Sequence, residues 1–233
     1  MSYASILSKN LKKGPLKLKK LPEEKILLVI DLFKLSELDI KFGSSHFDAI
    51  SSLTIIQRAF KYFVSHKNLY YNNQFAICLL TPFSYDLILD FTSDVKIISK
   101  ELLLIPTSIS ITEDIAAYDF GPFLKFVAQL RSIHKDSIFR VVMSYNRDDC
   151  LPIIDSLDKN TYSIFSSPSF FFDIVYICKN NLEIDEMAQN IYGKLALLCN
   201  PWSYKICTQR KPMAIMNGIS SLLPHPLVRC NYK

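Results

Sequence analysis

The residues Lys25 to Asp31, KILLVID, are an apolar run closed by a carboxylate, the pattern of a strand buried on both faces of a parallel sheet. Phe47, Ile50, Leu53, Ile56, Phe60 and Phe63 then recur at three- and four-residue intervals, with Asp48, Ser51, Arg58 and Lys61 on the other side, which predicts an amphipathic helix. Gln74 to Leu80 reads as a second apolar strand. Tyr85, Leu87, Leu89 and Phe91 alternate with Asp86, Ile88 and Asp90, as in a strand buried mainly on one face. The short link Thr81-Pro82-Phe83-Ser84 can join only antiparallel neighbours, so the sheet is expected to carry one antiparallel edge strand.

Thr92-Ser93-Asp94 supplies N-cap candidates for a short helix through Val95, Ile98 and Leu102. Gly121-Pro122 opens a further helix with Phe123, Phe126, Val127 and Leu130 on one face, and Ile138 to Ser144 returns as a strand. Phe170 to Ile177, FFFDIVYI, is the most apolar strand; Met187, Ile191, Leu195 and Leu198 mark the helix after it. A strand from Tyr204 to Cys207 and a helix from Pro212 to about Leu223 complete the pattern, and Pro224-His225-Pro226 ends it. Strands alternating with helices over 22–223 predict an α/β fold, a doubly wound sandwich with a mostly parallel sheet. A lysine-rich leader, 1–21, precedes this domain, and a tail, 224–233, follows it.

Composition narrows the classes. With 49% hydrophobic residues and 16 Phe among 233 residues, the chain is neither disordered nor low in complexity and can bury a core without disulfides or metal. The five glycines are far apart, so no glycine-rich loop cradles a phosphate. The longest apolar stretch is broken by Asp173 and falls short of the ~20 residues of a membrane span. No apolar block of signal-peptide length opens the chain, so its 6 cysteines are expected as free thiols in a reducing compartment. The net charge of +5 is local: Lys9, Lys12, Lys13, Lys17, Lys19 and Lys20 precede the first acid, Glu23. Such a segment reads as a solvated leader, the alternative being a contact for a polyanion. Leu16, Leu18 and Leu21 alternate with lysines, which would also let it dock as an extended strand.

In a sheet of this type ligands bind at the carboxyl ends of the strands, where Asp31 sits. A magnesium site there needs hydroxyls two and four residues on, as in Asp-x-Ser-x-Ser, but Phe33 and Leu35 occupy those positions. Thr112, Glu113, Asp114, Asp119, Asp148 and Asp149 are the remaining oxygen donors. Without first-loop hydroxyls the metal site reads as vestigial, with Asp31 bonded to backbone amides and no metal or cofactor expected. The histidines are scattered without HExxH, no CxxC pair occurs and no Gly-x-Ser-x-Gly elbow is present, so the chain is not expected to be an enzyme. Asp173 reads in two ways: an acid with a raised pKa, or a structural acid bonded to loop amides or a lysine. The second is favoured because no second acid stands beside it. Tyr145, Trp202 and Tyr204 read as packing or interface aromatics.

Two stretches, Ser169 to Ile177 (SFFFDIVYI) and Leu222 to Arg229 (LLPHPLVR), resemble the MERIT-forty family, the von Willebrand A-like scaffold subunit of the BRISC deubiquitinase and of its BRCA-linked nuclear counterpart. Lys25 to Leu32 and Phe91-Thr92-Ser93-Asp94 fit the same order, and the resemblance covers nearly all of 22–229. It implies a von Willebrand A-like domain with a degenerate metal site and no catalysis of its own. It also implies a place in a complex whose JAMM zinc isopeptidase, held through an Abraxas-type scaffold, cuts ubiquitin chains linked through ubiquitin's lysine sixty-three. Localisation would be cytoplasmic and nuclear, with no nucleic acid or membrane contact. In the family a C-terminal Pro-x-x-Arg segment docks on the BRE subunit, and here Pro226, Leu227, Val228 and Arg229 match it, with His225 before them. Such a peptide makes sense as an extended docking segment, with Leu227 filling a pocket and Arg229 forming a bidentate ion pair. Longer relatives have an N-terminal region with further partner motifs, and the leader here is short. The alternative reading is a von Willebrand A module that binds a partner's acid through Mg²⁺, outside any deubiquitinase complex.

Overall fold

Strand β1, Glu24–Asp31, lies at the centre of a six-stranded sheet, buried at every position but Lys25, as its apolar run requires. The computed structural model describes residues 21–33, 39–40, 50–69, 72–106, 116–154, 159–179 and 185–229. The leader through residue 20, Leu35, Phe47, Thr112, Glu113, Asp114 and Cys230 lie outside them. After β1 come a two-residue ladder of β2 (Asp39–Ile40) with β3 (Ile50–Ser51), helix α1 (Ser52–Asn68), β4 (Gln74–Leu80), β5 (Tyr85–Thr92) and α2 (Val95–Leu104). The chain continues through β6 (Ala117–Asp119), α3 (Gly121–Ile133), β7 (Ile138–Tyr145), β8 (Leu151–Ile153), α4 (Lys159–Phe165) and β9 (Phe170–Cys178). It ends with α5 (Glu186–Ala196), β10 (Lys205–Gln209), α6 (Pro212–Ser220) and the single turn α7 (Pro226–Arg229).

The sheet order is β10-β9-β7-β1-β4-β5, all parallel except β5, which is antiparallel to β4 at the edge as the short link demands. Alternation along the strands splits the core in two. Leu27, Val29, Val141, Met143, Phe170 and Phe172 face α3, α4 and α5; Ile26, Leu28, Val142, Val175 and Ile177 face α1, α2 and α6. The strand order reverses between β1 and β7, so their carboxyl ends diverge and open the crevice in which such sheets bind ligands.

Several details depart from the periodicity. Helix α1 starts at Ser52, because Ser51 caps it by accepting the Thr54 N–H at 3.1 Å and Ile50 joins the short ladder instead. In α5, Ile191 and Leu195, with Leu198 just beyond its end, are buried as the pattern predicts, but Met187 is exposed and Ala188 takes its place on the buried face. Asp94 is the cap of α2, accepting from Lys96 and Ile97. The small parallel ladder of β6 with β8 has no counterpart in the sequence pattern, since three-residue strands are too short to show a period.

The tail also differs. It is not extended: Pro226 begins a helical turn, where its fixed φ is pre-organised and its missing N–H harmless. His225 precedes it, its Nδ1 accepting the Leu227 N–H at 3.2 Å and its carbonyl accepting the Val228 N–H at 3.0 Å.

Candidate functional site: an internal cation at the carboxyl end of the sheet

Asp31 ends β1 inside the crevice, fully buried, and its carboxylate is met by a guanidinium. Arg147, two residues past β7, donates Nε–H to both Asp31 oxygens at 3.0 and 3.2 Å, and its Nη2 lies 2.9 Å from Oδ1. The N–H groups of Phe33 and Asn146 each donate to the same carboxylate at 3.3 Å. So many donors converging on one carboxyl fit only its ionised form. The rest of the guanidinium is also occupied: Nη2 donates to Thr81 O at 2.8 Å and Nη1 to Pro82 O at 3.4 Å, which ties the β4–β5 link to the crevice. Its plane lies over the rings of Tyr118 at 4.0 Å and Phe33 at 4.8 Å.

The electrostatics follow from burial. Burial opposes the charge of Arg147, but the Asp31 carboxylate overrides it and the guanidinium holds its proton more tightly than an ordinary arginine. Burial pushes the Asp31 carboxyl upward, against the pull of Arg147 and of the two amides. Tyr118 and Tyr145, which wall the site, are raised first by burial.

A divalent cation does not fit these residues. A hard cation at Asp31 needs oxygen ligands on an otherwise free carboxylate, whereas Asp31 is committed to Arg147 and Phe33 presents a buried ring where a hydroxyl would be needed. Asp119 accepts the Gly121 N–H at 2.7 Å, and Asp148 accepts from the Lys179 N–H at 2.9 Å and from Arg210 at 2.8 Å. Among the described residues no cluster of three His, Cys, Asp or Glu side chains could hold a metal. The sequence reading placed Asp31 and its amide bonds but missed Arg147, which stands two residues past β7 with no local pattern to mark it as the partner of Asp31.

A second buried network occupies the opposite, amino end of the sheet. Arg140, in the apolar β7, pairs with Asp173 of β9, with its Nε at 2.7 Å and Nη2 at 2.6 Å from Oδ2. Its Nη1 reaches Glu24 of β1 at 3.2 Å, and it also donates to the Leu222 carbonyl. Glu24 is paired with Lys67 of α1 as well. The other Asp173 oxygen accepts the Tyr204 N–H at 2.6 Å. Asp173 is thus a structural acid, held by a loop amide and by an arginine where a lysine was expected.

Of the tail residues, His225 and Pro226 are buried, Leu227 and Val228 are half-buried, and Arg229 closes α7. His225 Nε2 donates to Pro22 O at 3.1 Å and lies 3.7 Å from Glu24. These contacts bring the end of the domain to the start of β1. Burial lowers the pKa of His225, Lys67 and Arg140 add to the fall, and Glu24 and the Pro22 carbonyl oppose it. Because the folded value lies below the unfolded ~6.5, the neutral ring contributes stability that is complete above about pH 6.5 and lost as pH falls. The urea midpoint is therefore expected to drop between pH 7 and pH 5, and His225→Gln should flatten part of that slope. An identical slope in the variant would exclude His225 as a source. His134, also lowered by burial, contributes in the same direction.

No family model matches the chain. Among curated proteins it is similar to BRISC and BRCA1-A complex member 1: it is 27% identical over 111 residues to the Homo sapiens protein, covering 46% of this chain and 33% of that one. The Xenopus laevis protein is 25% identical over 103 residues, covering 43% and 31%. The matched stretch spans about a third of the length of these relatives. Among solved structures, the D319A mutant of the PilB minor pilin from Streptococcus sanguinis superposes with a TM-score of 0.63 at 9% identity, covering 92% of this chain and 63% of that one. The SpRpn10 VWA domain gives 0.54 at 13%, covering 86% and 95%. The vWF domain of the pilus tip protein Mfa5 from Porphyromonas gingivalis gives 0.53 at 8%, covering 91% and 97%. At these identities the structures establish the fold alone, a von Willebrand A-like α/β sandwich.

Proposed function

We propose that this chain is a non-catalytic scaffold, a von Willebrand A-like subunit of a BRISC-type assembly that acts on ubiquitin chains linked through lysine sixty-three. One observation carries the reading: the Asp31–Arg147 pair fills, with the chain's own cation, the place where this fold would take a divalent one. Partners then have to be held by surface contacts rather than by a metal-bridged acid. The partial likeness to BRISC and BRCA1-A complex member 1 supports the choice of assembly. In this reading BRE is the direct partner, and the Abraxas-type scaffold and the JAMM zinc isopeptidase are reached through it, in cytoplasm and nucleus. The contact uses Leu227, Val228 and Arg229, presented on a helical turn that His225 and Pro226 anchor to the body. The amino end of the sheet, which carries this turn, also has exposed Tyr162, Leu197 and Trp202 around a cleft of about 230 Å³, surface of the kind that protein interfaces use.

The test is co-purification with BRE of the intact chain, of Arg229→Ala and of a chain ending at Pro226, which keeps the buried His225. The intact chain is expected to co-elute and both variants to lose at least about tenfold in affinity, a loss of ~1.4 kcal/mol or more. If BRE binds all three equally, the contact lies on the body and not the tail; if it binds none, the reading fails. Calorimetry with Mg²⁺ addresses the alternative module. Saturable binding by the intact chain would favour it, and none is expected while Arg147 holds Asp31.

A further inference from the structure

We propose that Cys178 and Cys207 form an oxidation site, a thiol pair at the carboxyl end of β9 and β10 that a peroxide converts into a disulfide. Their sulfurs lie 3.5 Å apart, joined by an S–H···S hydrogen bond. Cys178 pairs in register with Gln209 and Cys207 with Tyr176, so the two cysteines are diagonal neighbours on one face of the ladder. Cys178, the last residue of its strand, is itself buried, one peptide from the exposed Lys179, and Cys207 is half-buried on the outermost strand. Peroxide therefore reaches Cys178 from the side of Cys207 and Lys179 when the edge strand moves, and not through the rest of the core.

Cys178 differs chemically from the other described thiols, its partner included: the hydrogen bond with Cys178 and burial raise Cys207 well above the ordinary thiol range. Burial pushes Cys78 and Cys199 up to about 12 and raises Cys150. Cys178 moves down: the hydrogen bond from Cys207 is the largest cause, burial opposes it, and the charge of Arg210 adds to the fall. Arg210 is placed for this by its backbone N–H, which donates to the Cys178 carbonyl at 3.0 Å. Its Nη2 is spent on Asp148 and the Asn146 carbonyl, but Nε and Nη1 are buried with no partner among the described residues. Unspent donors on a buried guanidinium favour negative charge nearby, whether the thiolate or a departing hydroxide.

The reaction balances with hydrogen peroxide as oxidant. The Cys178 thiolate attacks one peroxide oxygen, the O–O bond breaks, a sulfenic acid forms and hydroxide leaves, taking the Cys207 thiol proton to become water. The Cys207 thiolate then attacks the Cys178 sulfur, the S–S bond forms, and the displaced hydroxide becomes water by taking up the proton that Cys178 first released. Two thiols are oxidised and one peroxide is reduced. Closure to about 2.05 Å asks for movement, since diagonal neighbours in a sheet stand roughly 7–8 Å apart at Cα and an unstrained disulfide spans less than about 7 Å. Strand β10 can supply it, because its only ladder among the described residues is with β9. A bond closed in this way is strained and readily reduced.

The test uses the full chain with Cys230→Ser, titrated with hydrogen peroxide, alkylated, digested without reductant and mapped by mass spectrometry. A Cys178–Cys207 linked peptide, two hydrogens lighter than the sum of its parts, is expected at doses about tenfold below those that consume Cys78, Cys150 or Cys199, and dithiothreitol should reverse it. In Cys207→Ser, dimedone should trap a sulfenic acid at Cys178. The linked peptide from the otherwise native chain decides the matter even if that variant misfolds. Oxidation of all five thiols at one rate, a link between any other pair, or no linked peptide would overturn the proposal.

Discussion

Arg147→Met is expected to cost about 3–5 kcal/mol and to lower the thermal midpoint by about 10 °C, read by calorimetry or circular dichroism. The large value comes from what the substitution leaves behind. Asp31 is wholly buried, and without the guanidinium its charge rests on two amide donors at 3.3 Å, too little to replace the water it has lost. The carbonyls of Thr81 and Pro82 lose their partner in the same step, which loosens the link between β4 and β5. Methionine keeps most of the apolar volume between Tyr118 and Phe33, so the loss reports the charge and its hydrogen bonds rather than a cavity. The double variant Asp31→Asn with Arg147→Met should recover part of the stability, because a neutral amide is cheaper to bury than a lone carboxylate. If Arg147→Met melts within about 2 °C of the native chain, the pair does not hold the crevice, and Asp31 would be free for a cation after all.

The order of the large elements was legible because each buried strand is a continuous apolar run and each long helix shows a clean stripe. Asp31 was legible for the same reason, as a carboxylate terminating such a run, and Phe33 announced that a hydroxyl was missing. Arg147 was not, because its role depends on the strand order: only the reversal between β1 and β7 brings residues 31 and 147 together, and no local period encodes that. Arg140 and Asp173 were half legible. Each is a single charge inside an apolar strand, and two such charges of opposite sign on neighbouring strands predict each other once the neighbours are known. The tail misled in conformation because proline was weighed for what it imposes on the preceding residue, while at the first position of a turn it favours helix.

Arg140→Met is expected to be about as damaging, roughly 3–5 kcal/mol, and to carry its effect to the tail. The guanidinium is wholly buried and serves three acceptors on three parts of the chain: Asp173 on β9, Glu24 on β1 and the Leu222 carbonyl just after α6. Without it the two carboxylates lose the cation they share, while Lys67 stays on Glu24 and the Tyr204 amide on Asp173. Glu24 in turn is the charged neighbour of His225, which fixes the turn that presents Leu227 and Val228. Asp173→Asn should cost less, since an amide oxygen can still accept from Tyr204 N–H. The two substitutions together should fall short of the sum of their separate costs by about 0.5–3 kcal/mol, as expected for members of one network. Faster hydrogen exchange at the Leu227 and Val228 amides in Arg140→Met, with the amides of β4 still protected, would show the buried network holding the turn in place. Unchanged exchange at the turn would confine Arg140 to the stability of the body, and any fall in BRE affinity in that variant would then need another cause.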